Sequence, residues 1–405
     1  MANLDLTAAN PVLKEYYDDQ KVQSLVYSEN PTLALLPKDT QVQGKLIPLP
    51  TLYENGQGGS ATFSTSQANQ TAEALAEFQL VVKRDYATGT IDNLTLELSA
   101  TNKGAFIRGS TLVIDGKMRL ASGRTSSALF RSGTGSRGAI STIVSGVITL
   151  TNPEDVTQFG VNQTLQAAAT DGATPRAALG YVIARSVKAG TITVSATAIG
   201  GAAGSPSLWQ AGDFLLVQGD SNLLLPGFAG WLPTTDPTST DNFNGVNRSA
   251  DSRLYGMSYD GAAQPIEEAL IDHSLLLSRE DGSTDHCITN FGSYGSLIKA
   301  LGSKKNYVSF KGPAGIGFEG VQIIGAKSAI NVFPDRSCQA KRAYMLKLET
   351  WKLYSVGDAP KILRYGSNDE MLRVYNQDAA EVRIASYCTL GCNAPGANGT
   401  TILGA

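Results

Sequence analysis

The feature that most constrains this chain is a pair of strand-like legs around a polar, glycine-rich tip. Residues 45–54 form one leg and residues 76–91 the other, where Phe78, Leu80, Val81 and Val82 favour a strand. Residues 55–70 between them are polar and include Gly56, Gly58 and Gly59. The pattern predicts a long β-hairpin over 46–91, with longer legs than a simple turn needs. A lone two-stranded hairpin is marginal in water. This one must lie on its own chain or on a neighbour.

The segments around it are expected to divide as follows. Residues 1–45 read as an arm with one short helix, in which Pro11 opens a run carrying Val12, Tyr16, Val22, Leu25 and Val26 at helical spacing; Pro31 and Pro37 then favour extension. Residues 92–130 read as a long helix with Ile107, Thr111, Ile114, Met118 and Ala121 on one face. Gly104, Gly109, Gly116 and Gly123 interrupt it, which suggests a close backbone approach to a sheet. Residues 131–235 change character: ten charged residues occur among these 105, against 59 in the other 300. Short strands alternate with turns there, so the segment reads as an inserted all-β unit. Residues 236–262 read as connecting loop, and 263–375 as helix, strand, helix and then several strands, an α+β pattern. Residues 376–405 form a closing segment with one strand-like run over 381–390.

The chemistry inventory is short. The 405 residues carry 33 Lys and Arg against 36 Asp and Glu, a net charge of −3, which lacks the basic excess of a dedicated nucleic-acid binder. The N-terminus shows no basic-then-apolar leader, and no apolar run approaches the ~20 residues of a membrane span; the chain reads as soluble and made in a cytosol. Cys287, Cys338, Cys388 and Cys392 show no CxxC spacing and read as reduced packing residues, with Cys388 and Cys392 spaced to share a helix face. Gly133 to Gly138 match GxGxxG, but they follow a helix and precede strands, the reverse of a dinucleotide site. His273 lies among leucines, and His286 neighbours Cys287 on a strand, where adjacent side chains point to opposite faces. No catalytic residue, cofactor or metal site is expected. So sparse an inventory, beside an arm, a projecting hairpin and a long helix, points to a structural role.

The order of these parts resembles the major capsid proteins of tailed bacteriophages, the Hong Kong 97-type fold. Arm, extended loop and spine helix match 1–45, 46–91 and 92–130. Pro265–Asp281 as a helix, His286–Asn290 as a strand and Tyr294–Leu301 as a helix resemble the start of the axial domain. Phe318 to Gly357 is similar to a recurring capsid passage, with strand, turn, strand, Pro334-Asp335, a small loop and a Tyr344-x-Leu346 strand ending near Trp351. Arg383 to Pro395 resembles the return into the peripheral domain. The likeness covers about 300 residues and leaves out the β insert. It implies an α+β capsid fold with an inserted all-β domain. It also implies hexamers and pentamers closing into an icosahedral virion shell around double-stranded DNA, made in a bacterial host's cytoplasm. A separate scaffolding protein, a portal and cement or decoration proteins are the implied partners. Inter-subunit contacts are then expected at Tyr16, Tyr17, Tyr53, Gly58, Phe63, Phe78, Lys83 and Arg84.

Two other readings stay open on the residues alone. One is a tail, decoration or receptor-binding protein that uses the β insert. The other is an enzyme built on His273 or His286.

Overall fold

The computed structural model describes residues 30–93, 103–302, 306–311, 317–364 and 371–404. Tyr16, Tyr17 and the helix expected in the arm lie outside these residues. The described chain begins in the interior. Helix α1 (Pro31–Leu35) is followed by the short strand β1 (Lys38–Asp39). Pro31 opens the helix instead of enforcing extension, because the first helical position has no intrahelical use for the N–H that proline lacks. Leu33 and Leu36 are fully buried, Thr32 Oγ1 donates to Asp335 at 2.5 Å, and Asn30 Nδ2 donates to Ser122 Oγ at 2.9 Å. From residue 30 the arm is part of the body.

Next come β2 (Ile47–Glu54), helix α2 (Phe63–Ala68), β3 (Ala74–Leu80) and β4 (Lys83–Asp92). Strands β2 and β3 pair antiparallel, from Ile47 opposite Leu80 to Glu54 opposite Ala74. The hairpin therefore ends at Leu80 rather than at 91. Once Ile47 has met Leu80, β2 has no residue left for 83–92, and β4 crosses to another sheet. Pro48 and Pro50 are tolerated in β2 because alternate residues of a two-stranded ladder aim their backbone groups away from the partner. Their missing N–H groups blunt the outer edge.

Helix α3 (Lys103–Leu129) follows. Ile114, Met118 and Ala121 pack on Ala87 of β4 and on Val382 and Ile384. Gly104 and Gly109 lie outside the residues whose packing is described; among the others the close approach lies in the strand. A Cβ on Gly89 would meet Val113 Cγ1 at 2.9 Å, whereas Gly116 and Gly123 have open space where a Cβ would be. Those two helix glycines lie off the packed face, beside the exposed Leu120.

The insert is a closed six-stranded barrel of β5 (Ser136–Val144), β6 (Val147–Leu150), β7 (Thr164–Ala168), β8 (Gly180–Ser186), β9 (Thr191–Ser195) and β10 (Phe214–Val217), in the circular order β10-β5-β6-β9-β8-β7. Closure removes free sheet edges. Ile148, Leu165, Ala167, Val182, Ile192, Val194 and Leu215 fill it. The barrel stops at Val217, short of the expected boundary at 235. Phe228 and Trp231, on the short helix α4 (Phe228–Trp231), pack instead between the sheets of the main body.

The remaining elements are β11 (Met257–Gly261), α5 (Ile266–Arg279), β12 (His286–Thr289), α6 (Phe291–Leu301), β13 (Asn306–Lys311), β14 (Gly317–Ile324), β15 (Ala329–Pro334), β16 (Arg342–Leu346), β17 (Trp351–Ser355), β18 (Lys361–Ile362), β19 (Leu372–Arg373), β20 (Ala379–Cys392) and β21 (Gly399–Leu403). Two sheets result. The axial sheet has the order β11-β21-β16-β12-β15-β14-β13. The peripheral sheet has the order β1-β17-β20-β18, with β4 and β19 also on β20. Strand β4 runs along β20 from Lys83 opposite Cys388 to Asp92 opposite Ala379. Two expected boundaries move. Residues 236–262, read as loop, contain β11. The tail 376–405 returns to the peripheral sheet only through β20; β21 then crosses back to pair with β11 and β16, whose edges it covers.

The axial sheet is covered on both faces. Cys287, Val332 and Met345 point toward Leu270, Leu277 and Leu297 of α5 and α6. Their neighbours Ile288, Phe333 and Tyr344 point toward a central aromatic cluster, as strand alternation requires. Phe228 stands 4.9 Å from Trp351 and 5.4 Å from Phe130, and Trp231 stands 5.0 Å from Phe78. This cluster joins the end of α3, the hairpin base, α4 and both sheets. The buried indoles are satisfied, Trp231 Nε1 by the Leu390 carbonyl at 3.1 Å and Trp351 Nε1 by Asn398 Oδ1 at 2.8 Å.

Candidate assembly surface

The hairpin is held to the body only along its lower half. Arg253 marks the limit: Nη1 donates to the Tyr53 carbonyl at 2.6 Å and stands 3.1 Å from Glu54, while Nε stands 3.2 Å from Glu280. Beyond Glu54 the tip has its own internal structure. The Gln57 N–H donates to Thr71 Oγ1 and the Thr71 N–H to the Gln57 carbonyl, each at 2.8 Å. Ser66 Oγ donates to the Gly58 carbonyl. Gly56 passes so close to the Thr71 carbonyl that a side chain there would collide with it. This tip is folded but buries nothing: no residue of α2 is buried. Phe63 is 78% exposed, Leu75 69% and Leu52 53%. Leu52 and Leu75 lie directly opposite each other across the ladder. They form one apolar strip on the face turned away from Phe78.

The eight residues singled out in the sequence separate on this geometry. Phe63 lies on the exposed tip, and Gly58 supplies the carbonyl that ties the tip together. Tyr53 is half-buried against the central cluster. Phe78 is not on the surface at all: it alternates inward and is fully buried beside Trp231. Lys83 and Arg84 are not on the hairpin either. They belong to β4, opposite Cys388 and Tyr387 in the peripheral sheet. Tyr16 and Tyr17 lie outside the described residues. Sequence reasoning passed over Leu52 and Leu75. The signal was present, because Leu75 is an odd number of positions from both Phe78 and Leu80, and strand alternation puts it on the opposite face.

Below the hairpin, near the start of β4, a buried ion cluster fastens three units. Arg124 of α3 holds Asp85 of β4 through Nη2 at 2.6 Å and Nε at 2.9 Å, and reaches Asp220 at 2.8 Å. Arg137 of the barrel reaches the other oxygen of Asp220 at 3.3 Å. Burial, with Arg124 close by, draws the Arg137 guanidinium down to about 10. The GxGxxG run lies at this junction. Gly135 has a φ of 91°, and a Cβ there would stand 2.7 Å from the Asp220 carbonyl, so these glycines shape the entry to the barrel.

The remaining reactive groups are tied up in packing. His273 is fully buried, with Nδ1 2.7 Å from Thr401 Oγ1 and Nε2 3.2 Å from the Met257 carbonyl. Burial lowers it from 6.5 to about 4. His286 stands 3.0 Å from Asp285, while Cys287 points the other way into the core, its thiol pushed up to about 12 by burial. All four cysteines are buried and unpaired with one another. Cys388 and Cys392 do share a face, but of strand β20 and not of a helix. Among the described residues no three His, Cys, Asp or Glu gather as metal ligands, and no helix is long and apolar enough to cross a membrane.

The sequence matches no family model and no curated protein. Its fold does match solved structures. The capsid asymmetric unit of cyanophage A-1(L) aligns over 92% of this chain and 92% of that one, with a TM-score of 0.53 at 14% identity. The holo-SrpI encapsulin complex from Synechococcus elongatus PCC 7942 aligns over 99% and 96%, with a TM-score of 0.46 at 7% identity. The capsid of a native GTA particle aligns over 97% and 93%, with a TM-score of 0.45 at 9% identity. With its hairpin, long helix and two sheets in this order, the chain has the phage-capsid fold of the Hong Kong 97 type.

Proposed function

We propose that this chain is the shell-forming subunit of a tailed bacteriophage. Copies associate as hexamers and pentamers into an icosahedral virion shell that encloses double-stranded DNA. One observation carries the reading: on a body with the capsid fold, the hairpin tip is internally ordered yet leaves Phe63, Leu52 and Leu75 in water. Apolar side chains held out on a rigid projection gain free energy only when a second surface covers them. In a shell that surface is the next subunit.

The chemistry of the chain suits the task. A net charge of −3 lets like subunits approach without strong repulsion and gives packaged DNA no strong grip. Contact residues on this reading are Phe63, Gly58 and Tyr53 of the hairpin, with Leu52 and Leu75 added. A separate scaffolding protein, a portal and cement proteins are the partners that such a shell calls for.

The test is deletion of residues 55–69, with electron microscopy and light scattering of the purified protein beside the full chain. The full chain, co-expressed with its neighbouring genes, forms closed particles or capsomer-sized rings. The deleted chain stays folded and forms neither. Particles of normal size and stability from the deleted chain would overturn the reading.

A further inference from the structure

The barrel touches three different units of the body through one short turn. Residues Pro153–Gln158 form a 3-10 helix between β6 and β7. On one side, Asp155 accepts from Arg131 Nη2 at 3.3 Å, and Gln158 Oε1 accepts from Ser127 Oγ at 2.8 Å, both just at the end of α3. On the other side, Gln158 Nε2 donates to the Arg336 carbonyl at 2.9 Å, in the loop between β15 and β16 of the axial sheet. At the leading end, the Glu154 carboxylate accepts from Asn290 Nδ2. Asn290 is the N-cap of α6, and its Oδ1 accepts from the Ser293 N–H at 2.9 Å. Glu154 also presses on Gly292 in the first turn of α6, where any side chain would collide with it.

This contact is flanked by open space. A cleft of about 470 Å³ lies beside it, bordered by Pro153 and Glu154 of the barrel and by Gln264, Ser296 and Lys341 of the axial side. Apart from the contact of Glu154 with Asn290 and Gly292, the cleft separates the barrel from Gln264, Ser296 and Lys341, so on this side the turn bears the seating of the barrel. The turn is also rigidly backed. Val156 is fully buried in the barrel core, and Arg137 Nη1 donates to the Gln158 carbonyl at 3.3 Å.

We propose that Pro153–Gln158 is a strut that fixes the angle at which the inserted barrel stands on the axial domain, with Glu154 and Gln158 as its two bearing points. The axial sheet itself is held to the end of α3 by the central cluster, through Phe130 and Tyr344. This inference does not depend on the shell reading, because it concerns the geometry of a single chain.

The unassembled full chain tests it. Spin labels placed through Val187→Cys on the barrel and Ile324→Cys on the axial sheet report the distance between the two; both positions are exposed, while all four native cysteines are buried. The otherwise unaltered chain gives one narrow distance. Glu154→Ala, and independently Gln158→Ala, broaden or shift it. Glu154→Gln keeps a carbonyl oxygen for Asn290 and shifts it less. Arg176→Ala, which breaks the barrel's own pair with Asp213 away from the strut, leaves it unchanged. An unchanged distance in both Glu154→Ala and Gln158→Ala overturns the proposal. So does an equal shift in Arg176→Ala, which would mean that any loosening of the barrel moves the domains.

Discussion

The base and the tip of the hairpin use the same two strands and the same kinds of side chain for opposite ends. At the base, Leu49, Phe78 and Leu80 are buried. They press so closely on β20 that a Cβ on Gly391 would stand 2.8 Å from Leu80 and 2.9 Å from Leu49. At the tip, Leu52, Phe63 and Leu75 stay largely exposed. Burying a side chain of this size stabilises by about 1.5–3 kcal/mol. The base contributes that to the folding of the subunit. The tip holds it in reserve for an encounter, and its own hydrogen bonds keep it in shape meanwhile. Substitutions at the two ends should thus separate subunit stability from assembly.

The largest effect is expected at the base. Phe78→Ala removes a fully buried ring from the contact with Trp231 and should cost about 3–5 kcal/mol of subunit stability, read as a lower urea midpoint at unchanged slope. A loss under about 1 kcal/mol, within the range of surface changes, would mean that the base is no anchor. Next is the ion cluster that ties β4 to α3 and the barrel. Asp220→Ala leaves Arg137 buried without its carboxylate, while Arg124 keeps Asp85. The cost should be about 3 kcal/mol, the lower end for a broken buried pair. Thermal unfolding of the variant beside the full chain measures it.

A titration marks the interior in the same way. His273 is held neutral by burial, with its folded value near 4 against 6.5 when unfolded. Below pH 6.5 the unfolded chain takes up a proton that the folded chain refuses. The stability contributed by the neutral ring is complete above 6.5 and is lost as the pH falls toward about 4, up to about 3 kcal/mol in all. The difference in unfolding free energy between the natural chain and His273→Gln should follow that slope. An imidazole that titrates near 6.5 in the folded protein by NMR would remove the basis for it.

Much of this architecture could be read from the sequence where local signals and global packing agree. The helix face of Ile114, Met118 and Ala121, the helix over Pro265–Asp281 and the strand-rich passage from Phe318 to Gly357 all carry their signals in the residues themselves. What was not legible depended on partners distant in sequence. Residues 83–92 look like a hairpin leg until β20 is known to lie beside them. Phe228 and Trp231 look like the end of the insert until the volume between the sheets needs filling. Gly399–Leu403 crosses back because β11 and β16 offer it edges, and no local pattern records that. At the candidate surface the sequence marked Phe63 and Gly58 but put Phe78 outside, because the direction of alternation in a strand is set by the surface it lies on.

The smallest expected effect on the subunit is the most informative. Phe63→Asp combined with Leu52→Thr and Leu75→Thr removes the apolar strip while keeping the tip's shape. Thr pairs well across a ladder, and Asp in the first turn of α2 suits the helix dipole. Since none of the three side chains is buried, the urea midpoint should stay within about 0.5 kcal/mol of the starting protein. Assembly should fail, because each contact loses up to three apolar side chains and every subunit repeats the loss. Two results would break the contrast between base and tip. A large fall in stability would mean that the tip already packs on its own chain. Normal shells at normal concentration would mean that neighbours meet elsewhere, and the exposed Tyr375 at the far end of the peripheral sheet would become the next place to look.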